Sequence, residues 1–166
     1  MGSGIRAAII TLSDKGSKGE REDESGVVIR DMIGSAGASV DHYSVLPDEK
    51  DLIVDSLTRL CDTGCIDLIL TTGGTGVAPR DVTPEATRAV IDRELPGMAE
   101  AMRAESLKKT PHAMISRAVV GIRKQTLIVN LPGSPKAVRE NLAVILPALA
   151  HTVEKIKGDP SDCAKR

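Results

Sequence analysis

The sequence predicts an α/β fold in which helices cover both faces of a parallel sheet, and three observations carry that prediction. Apolar runs of strand length alternate with segments of helical periodicity, in the order β-α-β-α-β, through the first half of the chain. The intervening helical segments are about ten to fifteen residues long, the length of a crossover between parallel strands. Finally, 166 residues with 41% apolar content suit one domain with a sizeable core.

Each element has its own signal. Residues 6–12 are a short Ala/Ile-rich run that reads as a buried strand. Residues 13–22 are polar and glycine-punctuated and read as a mobile loop. A helix starts at Asp23, with Val28, Ile29, Met32 and Ile33 on one face and glycines at 34–37 to end it. Residues 39–46 alternate as a second strand. Pro47-Asp48 opens the next helix, whose stripe is Leu52, Ile53, Leu57 and Leu60. A third strand over residues 68–71 delivers a glycine loop, and Thr83-Pro84 reads as N-cap and N1 of a helix running to Arg93. After Pro96-Gly97 another helix carries Met98, Met102 and Leu107, while residues 110–117 stay ambiguous. Residues 119–123 and 126–129 read as two short strands around a Lys124-Gln125 turn. Ser134-Pro135 repeats the cap-and-proline start, and the stripe Val138, Leu142, Ile145, Leu149, Val153 and Ile156 extends to about Lys157, with a kink expected at Pro147. Residues 1–158 are thus read as one domain and 159–166 as a short polar, disordered tail. Met1 to Gly4 are set aside from the fold reading, because such a run can be either native or an expression scar.

The chemistry concentrates in residues 66–84. A strand ends in Thr71-Thr72, breaks at Gly73, Gly74, Thr75 and Gly76, passes Arg80-Asp81 and reaches Thr83-Pro84. Glycines lack a Cβ, so successive backbone N–H groups can turn into one concavity and receive a phosphate, with a helix N-terminus nearby. Asp81 offers a hard oxygen where a phosphate-bound Mg²⁺ could use one. The plainer alternative is a tight loop with Asp81 as a solvated or capping carboxylate. Ligands of parallel sheets bind outside the carboxyl ends of the strands. There the sequence places Ser13-Asp14, Asp48 and the glycine loop. A second Gly/Pro turn, Asn130-Leu131-Pro132-Gly133-Ser134-Pro135, is followed by Lys136 and Arg139 in the first turns of a helix, where dipole logic prefers acids.

Composition excludes several classes. Net charge near −1 and a pI near 6.3 argue against bulk polyanion binding. Tyr43 is the only aromatic residue, so stacking platforms for single-stranded bases are lacking, and nucleic acid is not an expected partner. No segment is apolar over the roughly 18 residues that span a bilayer, and the protein reads as cytoplasmic, with no membrane partner. The three cysteines are too few for a disulfide framework, and Cys61 and Cys65 have no second Cys/His pair at zinc-site spacing.

Taken together, Thr72-Gly73-Gly74-Thr75-Gly76 with Arg80-Asp81-Val82-Thr83-Pro84-Glu85-Ala86-Thr87, Leu46-Pro47-Asp48 upstream and Asn130 to Pro135 downstream resemble the MogA/MoaB family of molybdenum cofactor biosynthesis proteins. The likeness runs from about Arg6 to Gly158. Arg117 and the Ile122-Arg123-Lys124-Gln125 segment resemble its molybdopterin adenylyltransferase branch. The resemblance implies a three-layer α/β/α sandwich with a mostly parallel central sheet. It also implies a homotrimer that transfers AMP from Mg-ATP to molybdopterin, and product transfer to a molybdate-insertion protein. By position, Asp48 and Asp81 match the family's two aspartates implicated in catalysis, and both are expected to hold Mg²⁺ directly or through water. Thr72, Gly73, Gly74, Thr75 and Gly76 match the nucleotide-phosphate loop, and Ser13, Asp14, Pro132, Gly133 and Ser134 match rim segments of the pterin and nucleotide sites. Arg80, Arg117, Arg123 and Lys124 are candidate phosphate contacts. The alternative is a catalytically silent module that carries molybdopterin.

Overall fold

In the computed structural model, which describes residues 4–163, the chain forms one mixed sheet between two helical layers. The elements are β1 (Arg6–Leu12), α1 (Asp14–Ser17), α2 (Glu24–Ser35), β2 (Ser39–Leu46), α3 (Lys50–Asp62), β3 (Leu68–Thr72), α4 (Thr83–Val90), β4 (Arg93–Glu94), α5 (Pro96–Leu107), a 3-10 turn at Pro111–Ile115, β5 (Val120–Arg123), β6 (Thr126–Leu131) and α6 (Pro135–Ile156). The strand order is β2-β1-β3-β6-β5-β4. Neighbours among β2, β1, β3 and β6 are parallel, whereas β5 runs antiparallel to both β6 and β4. The readings of Met1 to Ser3 and of the last three tail residues lie outside the described residues.

Alternation along the strands sorts side chains into two cores. Ala7 and Ile9 of β1, with Leu127, Val129 and Leu131 of β6, pack against α2, α5 and α6. Ala8, Ile10 and Leu12, with Ile69 and Ile128, face α3 and α4. Successive residues of β1, β3 and β6 thus enter opposite cores. This two-sided burial is why the strands read as continuous apolar runs.

Several boundaries differ from the sequence reading. The 13–22 loop contains α1, capped by Ser13, whose Oγ accepts the Gly16 N–H at 2.9 Å. Helix α3 starts at Lys50 rather than at Pro47-Asp48, because Asp48 is drawn into tertiary hydrogen bonds instead of capping. Thr83 is the first residue of α4, not its cap; Val82 holds the cap position and Thr83 bonds the glycine loop. Helix α4 stops at Val90, since Ile91 turns extended (ψ 145°) and leads into β4, a two-residue strand that no periodicity could reveal. Helix α6 continues through Pro147 to Ile156. The hairpin is present, with Lys124 at φ 51° and its N–H bonded to Asp92. Beyond α6, Lys155 Nζ donates to the carbonyls of Asp159 (3.0 Å) and Ser161.

The connection from β1 leads to β2 on one side, while β3 lies on the other side of β1 and feeds α4. The crossovers therefore diverge between β1 and β3, and a crevice opens at their carboxyl ends.

Candidate active site

A cleft of about 560 Å³ occupies that crevice, with walls from the ends of β1, β3 and β6. Its floor is the glycine turn after β3. Gly73 has φ 98° and lies so close to β1 that a Cβ would fall onto the Leu12 carbonyl; Gly74 has φ 65°, and a Cβ there would fall onto the Thr83 hydroxyl. Only glycine meets both demands. Fully buried Thr83 then fixes the turn: its Oγ donates to the Gly73 carbonyl at 2.9 Å and its N–H to the Gly74 carbonyl at 3.2 Å. The Gly73 N–H is spent on the Leu131 carbonyl, but those of Gly74, Thr75 and Gly76 donate to nothing among the described residues. Consecutive unspent amides at a turn form an anion cradle.

Two carboxylates border this cradle. Asp48 Oδ2 accepts the Asp14 N–H at 3.1 Å, and Asp14 Oδ1 accepts the Asp48 N–H at 3.0 Å, so the loops after β1 and β2 clasp each other. Burial, with smaller contributions from the like charges of Asp14 and Asp81, raises the Asp48 pKa above the ordinary carboxylate value. Asp14 shifts the other way, held down by hydrogen bonds from Arg80. Asp81 folds under its own loop, where Oδ2 accepts the Ala78 N–H at 2.9 Å. Oδ1 of Asp48 and Oδ1 of Asp81 accept no hydrogen bond from the described residues, and Asp48 Oδ1 lies 3.1 Å from where a Gly74 Cβ would sit. Among the described residues no three His, Cys, Asp or Glu side chains could enclose a metal ion. Two part-free carboxylates fit a hard divalent cation that completes its shell with ligand phosphates and water.

The third wall is the turn after β6. Thr72 Oγ donates to the Pro132 carbonyl at 2.6 Å, and Ser25 Oγ, from the first turn of α2, donates to the Gly133 carbonyl at 2.7 Å. Ser134 caps α6 by accepting the Ala137 N–H, so its hydroxyl serves the helix. The cleft brings together Ser13, Asp48, Thr72, Gly73, Gly74, Asp81, Gly133 and Ser134, with Asp14 clasped to Asp48. Thr75, Gly76 and Pro132 line a second, smaller cavity of about 250 Å³ with residues of α5, the 3-10 turn and α6, although Gly76 also lies against Asp81.

All four basic candidates are paired with acids. Arg80 forks onto both Asp14 oxygens (2.9 and 2.8 Å) and reaches Glu49 at 2.9 Å, so it is already paired with acids beside the Asp14–Asp48 clasp. Arg117 lies behind the loop against Glu85. Arg123 and Lys124 pair with Asp62 at the opposite end of the sheet, too remote for any phosphate in this cleft, because β5 runs antiparallel and carries them away. Sequence reading missed Ser25 as a wall residue and Thr83 as the loop's anchor; a serine in a helix's first turn gives no sign of a partner 108 positions away.

Residues 8–151 match the family model described as "Probable molybdopterin binding domain". The molybdopterin adenylyltransferase of Helicobacter pylori strain J99 is 45% identical over 157 residues, covering 93% of this chain and 89% of that protein. The molybdopterin adenylyltransferase of Escherichia coli K12 is 42% identical over 151 residues, covering 90% and 77%. The crystal structure of the molybdopterin biosynthesis enzyme MoaB from Thermus thermophilus superimposes with a TM-score of 0.88 at 49% identity, over 95% of this chain and 99% of that one. A cleft at the β1/β3 divergence, a glycine cradle with flanking aspartates and these matches lead to one conclusion: the chain belongs to the molybdopterin-binding domain family of molybdenum cofactor biosynthesis, the MogA/MoaB proteins.

Proposed function

We propose that this protein is a molybdopterin adenylyltransferase, a nucleotidyltransferase that moves AMP from ATP to the terminal phosphate of molybdopterin and releases pyrophosphate. One observation of the molecule carries the reading: an amide cradle with no partners among the described residues stands beside two aspartates that each keep one oxygen unengaged there. The names of the relatives point to the same chemistry.

The attacking group is a phosphate monoester, already anionic near neutral pH, so the reaction needs no strong general base. An oxygen of that monoester forms a bond to the α-phosphorus of ATP while the bond from α-phosphorus to the β-bridging oxygen breaks, and pyrophosphate carries away the electron pair. The protein's contribution is alignment and charge complementarity. N–H groups of Gly74, Thr75 and Gly76 receive phosphate oxygens. Thr72, Gly73, Gly133 and Ser134 shape the walls, and the Ser13-Asp14 turn closes the rim. Asp48 and Asp81 would hold Mg²⁺ directly or through water, and a bound Mg²⁺ would offset charge on the phosphates. Pterin and nucleotide occupy the two cavities that share the glycine loop.

We further take the protein to act in the cytoplasm as a homotrimer that hands its product to a molybdate-insertion protein. Sedimentation at three times the chain mass is expected, and a monomeric mass would contradict the assembly. Incubation with molybdopterin, ATP and Mg²⁺ tests the activity. Stoichiometric pyrophosphate and adenylylated pterin are expected, whereas tight pterin binding with no pyrophosphate would identify a carrier instead.

A further inference from the structure

Arg117 is a cation that lies beside the glycine loop but does not line the cleft. Its backbone N–H donates to the Thr75 carbonyl at 2.8 Å, its Nε to the Gly76 carbonyl at 2.7 Å, and its Nη2 to the Asp81 carbonyl at 2.7 Å. The same guanidinium is neutralised by Glu85 in the first turn of α4, and Arg117 in turn holds the Glu85 carboxyl below its usual range. The segment carrying Arg117 is itself tied down from α5, where Arg103 donates to the carbonyls of Ser116 and Ala118 at 3.4 and 3.0 Å.

The planarity of the peptide bond gives these contacts a consequence. In a trans peptide the carbonyl of one residue and the N–H of the next point in opposite directions. With the Thr75 and Gly76 carbonyls fixed on Arg117, the N–H groups of Gly76 and Val77 are aimed away from it. Thr83 does the same for the first half of the turn, because its bonds to the Gly73 and Gly74 carbonyls direct the N–H groups of Gly74 and Thr75. The cradle is therefore oriented from behind by two residues, one for each half. The bond to the Asp81 carbonyl closes the loop at its far end, where Asp81 carries its carboxylate.

We infer that Arg117 is a positioning residue for adenylyl transfer, its guanidinium fixing the direction of the Val77 amide and the place of Asp81, and its backbone N–H that of the Gly76 amide, without touching a phosphate itself. The inference rests on the adenylyltransferase reading for its catalytic part and on the loop geometry for the rest. Lysine is the decisive replacement, since it keeps the positive charge beside Glu85 but cannot fork to carbonyls at both ends of the loop.

Steady-state kinetics with molybdopterin and Mg-ATP should show kcat falling about ten- to hundredfold in Arg117→Lys, with KM for molybdopterin within about threefold of wild type. Glu85→Gln, which leaves both loop carbonyls bonded, should keep kcat within about threefold. In ligand-free protein, NMR hydrogen exchange of the Ala78 and Asp81 amides, which bond across the loop to each other's residues, should speed up about tenfold or more in Arg117→Lys. Wild-type exchange at those amides would overturn the positioning role whatever the activity. So would unchanged kcat, or a Glu85→Gln loss equal to that of Arg117→Lys. An Arg117→Lys protein that fails to fold would also contradict it, because both cores are untouched by the change. Wild-type protein that makes no adenylylated pterin would refute the adenylyltransferase reading, and the exchange result would still decide what Arg117 does to the loop.

Discussion

Asp48 shows how a single buried carboxylate beside other acids carries a cost in stability. Its ordinary pKa of 3.8 is raised in the folded protein, chiefly by burial, with Asp14 and Asp81 adding like charge. Between the unfolded and folded values the native state holds more protons than the unfolded chain, so stability falls as pH rises through that window and the penalty is complete above the folded value. Asp48→Asn keeps an oxygen to accept the Asp14 N–H and removes the ionisation. The Tm of this variant relative to wild type should therefore become more favourable as pH rises from the ordinary value of 3.8 through the raised folded one, while turnover falls. A pH-independent difference, or one of opposite sign, would contradict the assignment. At this scale the sequence was most legible where chemistry is local. Positive φ at Gly73 and Gly74 follows from residue type, as does the capping by Ser134 and Asp23. Arg117, Ser25 and Thr83 were misread or missed because their roles depend on partners on other elements, and neither charge nor spacing announces such partners.

Elements place these residues by converging on a few buried polar contacts. Asn130, fully buried in β6, accepts the Val119 N–H at 3.1 Å and donates to Thr71 Oγ at 3.0 Å and Thr87 Oγ at 2.9 Å. One side chain thus ties β6 to β3, to α4 and to the segment entering β5. Asn130→Ala should cost about 3 kcal/mol or more in denaturant unfolding, because the Val119 N–H would lose a side-chain partner inside the core and two hydroxyls would lose their donor. A loss under about 1 kcal/mol would mean that the network is not integral to the fold. Long elements were legible because two-sided burial writes continuous apolar runs and helices write a 3.6-residue stripe. What failed was shorter or tertiary in origin: β4 spans two residues, α1 four, and the α3 start moved when Asp48 took an interloop bond rather than a cap.

For the whole molecule, the strand order converts separate motifs into one site. Crossovers diverging between β1 and β3 bring the loops after β1, β2, β3 and β6 to one rim, although their sequence positions span more than a hundred residues. The β-α-β-α-β pattern predicted that rim, but not the order in which β6 inserts beside β3, nor the division of the rim residues between two cavities by the glycine loop. The central claim is that AMP transfer occurs at this rim and depends on Asp81. It is tested most directly by following label from ATP carrying ³²P at the α-phosphate onto molybdopterin, in wild type and in Asp81→Asn at equal folded concentration. Mg²⁺-dependent transfer in wild type and a loss of at least about a hundredfold in the variant are predicted, with Tm changed by no more than about 4 °C. Label transfer at the wild-type rate in Asp81→Asn, or no transfer by a wild type that binds molybdopterin tightly, would contradict the account.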